Sequence, residues 1–329
     1  MSLTHFPNGI TSFGVPIMGG MAPATFGNYY FVDYRNGSDS DNNGRTKGEA
    51  LKTLSRAYEL CTSNNNDVVL VDGDSEIVET SMIDLTKNRI HTVGLNGFPP
   101  LAGYGAGARV TLGTTGVATD IATLKNTGVR NTFTGIKFSN TSATATNLYT
   151  VAEGGEYTRY NFCEIYKSGL LTTDLTAPLL MNGDSSQFYG TTIGDLVNTR
   201  GASGVECPCV MLTREQITGK VCRDGWFENC RLLTKAAHID VCFFYGPNAT
   251  DVERSLMIKN SVFWNSSLAV ADPAHAVNFA AAQTQGDVLV DNCSRINVTY
   301  FGGVDLKIFQ TGAVSTDATS GLAVECSTP

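Results

Sequence analysis

The residues best equipped for chemistry in this chain are its closely spaced carboxylates. Asp72 with Asp74, Glu153 with Glu156, Asp224 with Glu228, and Asp251 with Glu253 form four such pairs. Two carboxyl groups roughly 5–10 Å apart can cleave a glycosidic bond, one as acid and the other as base or nucleophile. A β-elimination site would instead set a basic residue near calcium-binding acids. Arg223 beside Asp224 is a fragment of that pattern, and nothing completes it. All four pairs are read as solvated turn or outer-face residues.

Asp39, Asp41 and Asn43 place oxygens at alternate positions before Gly44, like the start of a calcium loop. The closing Glu of an EF-hand is missing, so Asx turns are expected. The four histidines, His5, His91, His238 and His275, are far apart and belong to no metal-binding spacing. The chain holds no GxSxG elbow and no phosphate-binding loop. No catalytic, cofactor-binding or metal-binding residue is assigned, and no cofactor is expected. Trp226, Phe243, Phe244, Tyr245 and Trp264 could stack on sugars if exposed. They lie in strand-like runs, which predicts core packing.

What must position these residues is a β-rich body. Hydrophobic residues make up 42% of the chain and charged residues 16%, below the ~25% of ordinary soluble domains. Low charge, with 34 glycines, suits a β protein with many tight turns rather than a disordered chain. The net charge of −8 and the lack of a basic patch predict no nucleic-acid partner. No apolar run approaches the ~18 residues of a membrane span, and no secretory signal is expected. The nine cysteines have no framework spacing. Cys163, Cys230, Cys242 and Cys293 sit in apolar runs, as buried free thiols do. Cys207-Pro208-Cys209 lacks the second Cys/His pair that a metal site would need.

Residues 29–83 set out the architecture. Tyr29 to Val32 reads as a strand, and Asn36 to Gly44 as a turn-rich loop. Ala50, Leu51, Leu54, Ala57, Tyr58 and Cys61 fall on one face of an amphipathic helix. Thr46 with Glu49 could form its capping box, or the helix could start near Thr53. Val68 to Val71 is a second strand, stopped by Asp72-Gly73-Asp74. Farther on, Ile90 to Val93, Pro99 to Leu101 and Arg109 to Leu112 read as short strands between glycine turns.

This order, with its Val-Asp, Asn-Gly-Ser-Asp and Gly signature ahead of a helix, resembles the leading segment of bacteriophage right-handed parallel β-helix proteins. The resemblance implies an all-β fold of the pectate-lyase-like kind: a single-stranded right-handed parallel β-helix with an N-terminal amphipathic capping helix. Such a helix would cover the open apolar end of the stack, where unpaired strand edges invite aggregation. Thr4 to Ile10 also resembles the start of tailed-phage virion proteins, decoration proteins among them.

A loose repeat supports the β-helix. Phe133 to Phe138, Tyr160 to Ile165, Ser186 to Tyr189 with Ile193, Phe227 to Leu232, Ile258 to Phe263 and Val290 to Ser294 are its copies. The clear ones recur every about 27 to 37 residues, the range of solenoid coils. Asn229, Asn260 and Asn292 are expected at bends, one above another, where asparagine tolerates left-handed angles and stacked side chains can bond in a ladder. A β-sandwich is the competing architecture. Residues 84–329 are read as the body. Residues 170–222 are read as a loop-rich insertion of projecting loops or distorted coils, and Val304 to Ile308 as the last strand.

Residues 1–28 are rich in Gly and Pro yet carry Phe6, Ile10, Phe13, Val15, Ile17, Met18 and Phe26. Apolar anchors on an extended backbone suit an arm laid on another surface, with a reach of several tens of ångströms at ~3.3 Å per residue. With the resemblance, this implies a structural virion protein, made in the host cytoplasm and fastened to the capsid surface through its arm. The implied partners are the major capsid protein or other virion proteins. Homo-oligomerisation is also expected, with a trimer preferred. The alternative is a carbohydrate-binding or carbohydrate-cleaving β-helix, a small tailspike or polysaccharide lyase. An outer groove with an exposed Trp226 or Trp264, or converging Asp184, Asp195, Asp224 and Glu228, would favour it.

Overall fold

The computed structural model describes residues 27–73, 76–95, 108–113, 119–267, 273–281 and 284–302. It also describes the backbone of the short strands Thr11–Ser12, Val15–Pro16, Ile308–Thr311 and Glu325–Cys326. Short strands wind into three sheets, in which each strand pairs with its counterpart one coil earlier and one coil later. The second and third sheets each hold eight strands in coil order, and the first holds 11. Tyr29–Val32 opens the first sheet beside Val68–Val71, and every rung up to Ile308–Thr311 pairs in parallel. The chain is therefore an all-β, right-handed parallel β-helix, with eight full coils among the described residues.

Strand alternation fills the interior. Phe133, Tyr160, Phe188 and Phe227 occupy one register position on successive coils of the first sheet. Their rings stack at 4.7, 4.7 and 4.6 Å. That spacing is close to the ~4.8 Å between neighbouring strands, so the backbone ladder sets the ring stack. Ile258 and Val290 continue the column.

The bend after each first-sheet strand explains the repeat signature. Gly135, Phe162, Gly190, Asn229, Asn260 and Asn292 stand there on successive coils, all with φ between 49° and 64°. The amides of Asn229 and Asn260 donate to Lys259 O and Asp291 O on the next coil. Asn292 Nδ2 donates to Asn260 Oδ1 at 2.8 Å. The small residue after the bend turns inward and donates to the carbonyl two residues before it: Cys163, Thr191, Cys230, Ser261 and Cys293 all do so.

The helix, α1 (Leu54–Leu60), begins later than the Thr46–Glu49 capping box would place it. Lys47–Glu49 is a 3-10 turn without a side-chain cap, whereas Thr53 Oγ1 accepts from Arg56 N. Two charges from the first coil hold α1. Glu79 accepts from Leu54 N and Ser55 Oγ, both at 2.8 Å, at its N-terminal end. Lys87 Nζ donates to the carbonyls of Tyr58, Glu59 and Cys61 at its C-terminal end. Each charge complements the helix dipole. Leu54, Ala57 and Tyr58 face the core beneath.

Two expectations need correction. Residues 170–222 are not an interruption. Ala177–Met181, Gln187–Tyr189, Thr192–Arg200 and Val210–Met211 are rungs of the stack, of which Thr192–Arg200 alone is distorted by a register shift between Gly194 and Thr199. The copy was hard to see because Gly190 and Thr191 replace the Asn-Cys or Asn-Ser pair at its bend. The connector that follows does not project. Ile217 packs with Ala152, Leu180, Met211 and Tyr245 in a second apolar cluster on the third sheet. The boundary at 83/84 falls inside strand Ile83–Leu85, so the two segments share continuous sheets. Of the last strand, Ile308–Thr311 is described and 303–307 lie outside the described residues.

Candidate functional site

The outer face of the second sheet carries a concavity. Along its strands, outward residues fall into rows across the coils. Arg109, Lys137, Glu164, Thr192 and Arg231 share one row. Two residues farther along, Leu233 and Trp264 pair in another row.

One strand breaks the regularity. Thr192–Arg200 and Arg231–Ala236 lose register between Gly194 and Thr199, so residues 195–198 leave the ladder as a bulge. Gly194 is required there. Its φ is +88°, and a Cβ would lie 2.0 Å from Leu233 O. Asp195 Oδ1 accepts from Val197 N at 2.8 Å and Asn198 N at 2.6 Å, which folds the bulge on itself. Ser266 Oγ donates to Leu196 O at 3.0 Å.

The bulge forms one wall of a cavity of about 470 Å³. Tyr166, Leu233 and Trp264 give it apolar surface, and Arg109, Lys137, Glu164, Thr192 and Arg231 give it polar surface. Lys137 Nζ lies 2.7 Å from Glu164 Oε2 and 4.9 Å from the Tyr166 ring centroid. Arg231 Nε donates to Thr192 Oγ1 at 3.1 Å. Trp264 is 40% exposed. The groove offers an aromatic platform beside fixed donors and acceptors, the mixture with which pockets orient polar ligands that have apolar faces.

Among the described residues, none of the acids paired from sequence lines this cavity. Asp72 pairs with Lys47 at 3.0 Å, and Asp74 is outside the described residues. Glu153 and Glu156 separate. Glu153 is fully buried, accepting from Tyr160 Oη at 2.6 Å, Gly155 N at 2.7 Å and Asn126 Nδ2 at 2.9 Å, and burial pushes its carboxyl above the usual range. Glu156 pairs with Lys220 at 3.1 Å. Asp251 is buried and holds Asn248 N, while Glu253 pairs with Arg223 at 2.6 Å. Arg254 bridges Asp184 at 3.0 Å and Asp224 at 2.8 Å. Glu228 accepts from Trp226 Nε1 at 3.2 Å. Thus Asp184 and Asp224 converge, but on an arginine; Asp195 lies apart, in the groove.

Among the aromatics, Phe243, Phe244 and Tyr245 are buried and Trp226 is half-buried, whereas Trp264 opens into the groove. Asn43 accepts from Arg45 N, two residues on, as in an Asx turn, whereas Asp39 accepts from Lys52 N and Thr53 Oγ1 and Asp41 from Ser38 Oγ, which are not Asx turns. Among the described residues no three metal-ligating side chains gather. Eight cysteines are described, all buried and unpaired; burial pushes the Cys209 thiol up to about 12. The arm side chains Phe6, Ile10, Phe13, Val15, Ile17, Met18 and Phe26 lie outside the described residues. Only the backbone pairing of Thr11–Ser12 with Val15–Pro16 is described there.

The groove itself was not found from sequence. Its signal is Gly194-Asp195 following a β-branched run, since glycine inside a strand marks a bulge.

No protein-family model matches the sequence, and no curated protein matches it. Solved structures do match by fold. Pectate lyase Pel9A superposes with a TM-score of 0.56 at 14% identity, over 81% of this chain and 62% of that one. Pectin methylesterase from carrot gives 0.52 at 12% identity, over 91% and 86%. Geobacillus virus E2 ORF18 also matches, at 0.37 and 12% identity over 79% and 58%, too remote to carry an argument. The class is thus the right-handed parallel β-helix of pectate lyases and pectin methylesterases, a likeness of fold alone. The chain spans less than two thirds of the pectate lyase it matches.

Proposed function

We propose that this protein binds an oligosaccharide in the second-sheet groove, with Trp264 as the stacking platform. The observation that carries the reading is that half-exposed indole beside Lys137, Glu164, Thr192 and Arg231 in one cavity. A sugar ring presents an apolar C–H face to the indole and directs its hydroxyls to the polar wall. Binding is read ahead of cleavage because one oxygen of each groove acid is committed, Glu164 Oε2 to Lys137 and Asp195 Oδ1 to the bulge amides; Glu164 Oε1 and Asp195 Oδ2 make no hydrogen bond among the described residues. The β-helix neighbours are a pectate lyase and a pectin methylesterase, which supports carbohydrate as the ligand class.

We place this binding face on a phage particle. Support comes from the resemblance of residues 29–83 to phage β-helix proteins, with residues 1–28 as the anchor on the major capsid protein. A glycan array probed with the full chain tests the groove, and each bound glycan is then analysed for shortened or unsaturated products. Binding without products is expected. Products would make the protein an enzyme, and an array without hits would remove the glycan reading. Retained binding of purified capsids by a chain lacking residues 1–28 would remove the anchor.

A further inference from the structure

Behind the groove, inside the stack, two basic side chains, Lys167 and Arg200, are buried on successive coils. Along strand Glu164–Lys167, Ile165 and Lys167 face inward while Glu164 and Tyr166 face out. Arg200 ends strand Thr192–Arg200 one coil later. Lys167 and Arg200 are 0% and 1% exposed. Arg200 Nη2 lies 3.4 Å from Lys167 O, and Nη1 lies 3.4 Å from Pro208 O. Lys167 Nζ and Arg200 Nε have no hydrogen-bond acceptor among the described residues.

Asp195 is the one carboxylate within ion-pair range of either among the described residues. Its Oδ2 is 3.8 Å from Arg200 Nη2 and makes no hydrogen bond. Its other oxygen is committed to the bulge amides. Arg200 therefore has one distant carboxylate and Lys167 has none in ion-pair range among the described residues, in surroundings where unmatched charge and unmade hydrogen bonds are costly.

We propose that a small inorganic anion of the size of chloride binds inside the β-helix, accepting from Lys167 Nζ and Arg200 Nε. It would supply the missing acceptor for donors from two successive coils and offset the excess positive charge. Burial and the charge of Arg200 pull the Lys167 amine down to about 7, so an adjacent anion would keep it protonated at neutral pH.

The test is thermal unfolding of the full chain at constant ionic strength, with sodium chloride or bromide replacing sodium gluconate. A ligand that binds only the folded state raises Tm with the logarithm of its concentration above Kd, here by about 2 °C at tenfold excess over Kd. Lys167→Met should lose that rise. Superimposable halide and gluconate titrations of the parent would overturn the proposal. Because Lys167→Met could fail to fold, crystals of the parent soaked in bromide provide a second reading. An anomalous peak between Lys167 and Arg200 supports the site, and a water or nothing at that position overturns it.

Discussion

The corner between the third and first sheets and the outer face of the second sheet both carry acids and cations, yet only one forms a site. At the corner the ladder is unbroken: Glu156, Asp184 and Arg223 align as bridge partners on successive coils. Charges there meet across the coil spacing, as Arg254 with Asp184 and Asp224 and Arg223 with Glu253 do. Regular stacking pairs these charges with one another. On the second sheet the Gly194–Thr199 bulge breaks the register and raises a wall, so the residues beneath it face a cavity. In a solenoid, then, the departure from the repeat makes the site, and the repeat makes the scaffold.

The contrast can be broken or sharpened by substitution. The largest effect belongs to the scaffold: Phe188→Ala, in the ring column, should cost about 3–5 kcal/mol in chemical denaturation. A loss below about 1 kcal/mol would show that the column is not a cooperative core. Gly194→Val comes next, at about 2–4 kcal/mol, because its Cβ meets Leu233 O and its φ is left-handed. Glycan binding should fall with it; a stable variant that keeps full binding would separate the bulge from the site. Asn260→Val should cost about 1–2 kcal/mol, through the left-handed bend and the bond from Asn292. Unchanged melting would dismiss the asparagine ladder.

The buried Glu153 should give a smaller signal, seen as a slope with pH. Its carboxyl is raised, so the folded state binds its proton more tightly than the unfolded state does. Its contribution is full below the ordinary glutamate value and is lost as pH rises through the raised folded value. Glu153→Gln should therefore flatten the decline of stability above about pH 4.5. An unchanged slope would assign the decline to other groups. Least of all, Arg254→Ala at the corner should cost under about 1 kcal/mol, since the side chain is exposed and such pairs are screened. A larger loss would make the corner network a structural clamp.

The scaffold was legible because it is periodic. The bend needs a left-handed residue and then a small inward donor, so Asn229-Cys230, Asn260-Ser261 and Asn292-Cys293 announce it in the sequence. Where other residues supply the left-handed bend, as with Gly135, Phe162 and Gly190, the signal fades although the geometry persists. The start of α1 was ambiguous because its decisive N-terminal partner, Glu79, comes from the next coil. The groove was illegible for a related reason. It arises from one local loss of register, and it gathers Arg109, Glu164, Arg231 and Trp264 from separate coils. Carboxylates close in sequence were a poor guide, because the Gly154-Gly155 link sends Glu153, at the end of a buried strand, and Glu156 into different surroundings.

The most direct test of the central claim is calorimetric titration of an array-selected oligosaccharide into three chains: the parent, Trp264→Ala and Trp226→Ala. The groove account predicts at least about tenfold weaker binding, some 1.4 kcal/mol, for Trp264→Ala and parent affinity for Trp226→Ala. Loss in Trp226→Ala with binding retained in Trp264→Ala would contradict it and move the site to the first sheet.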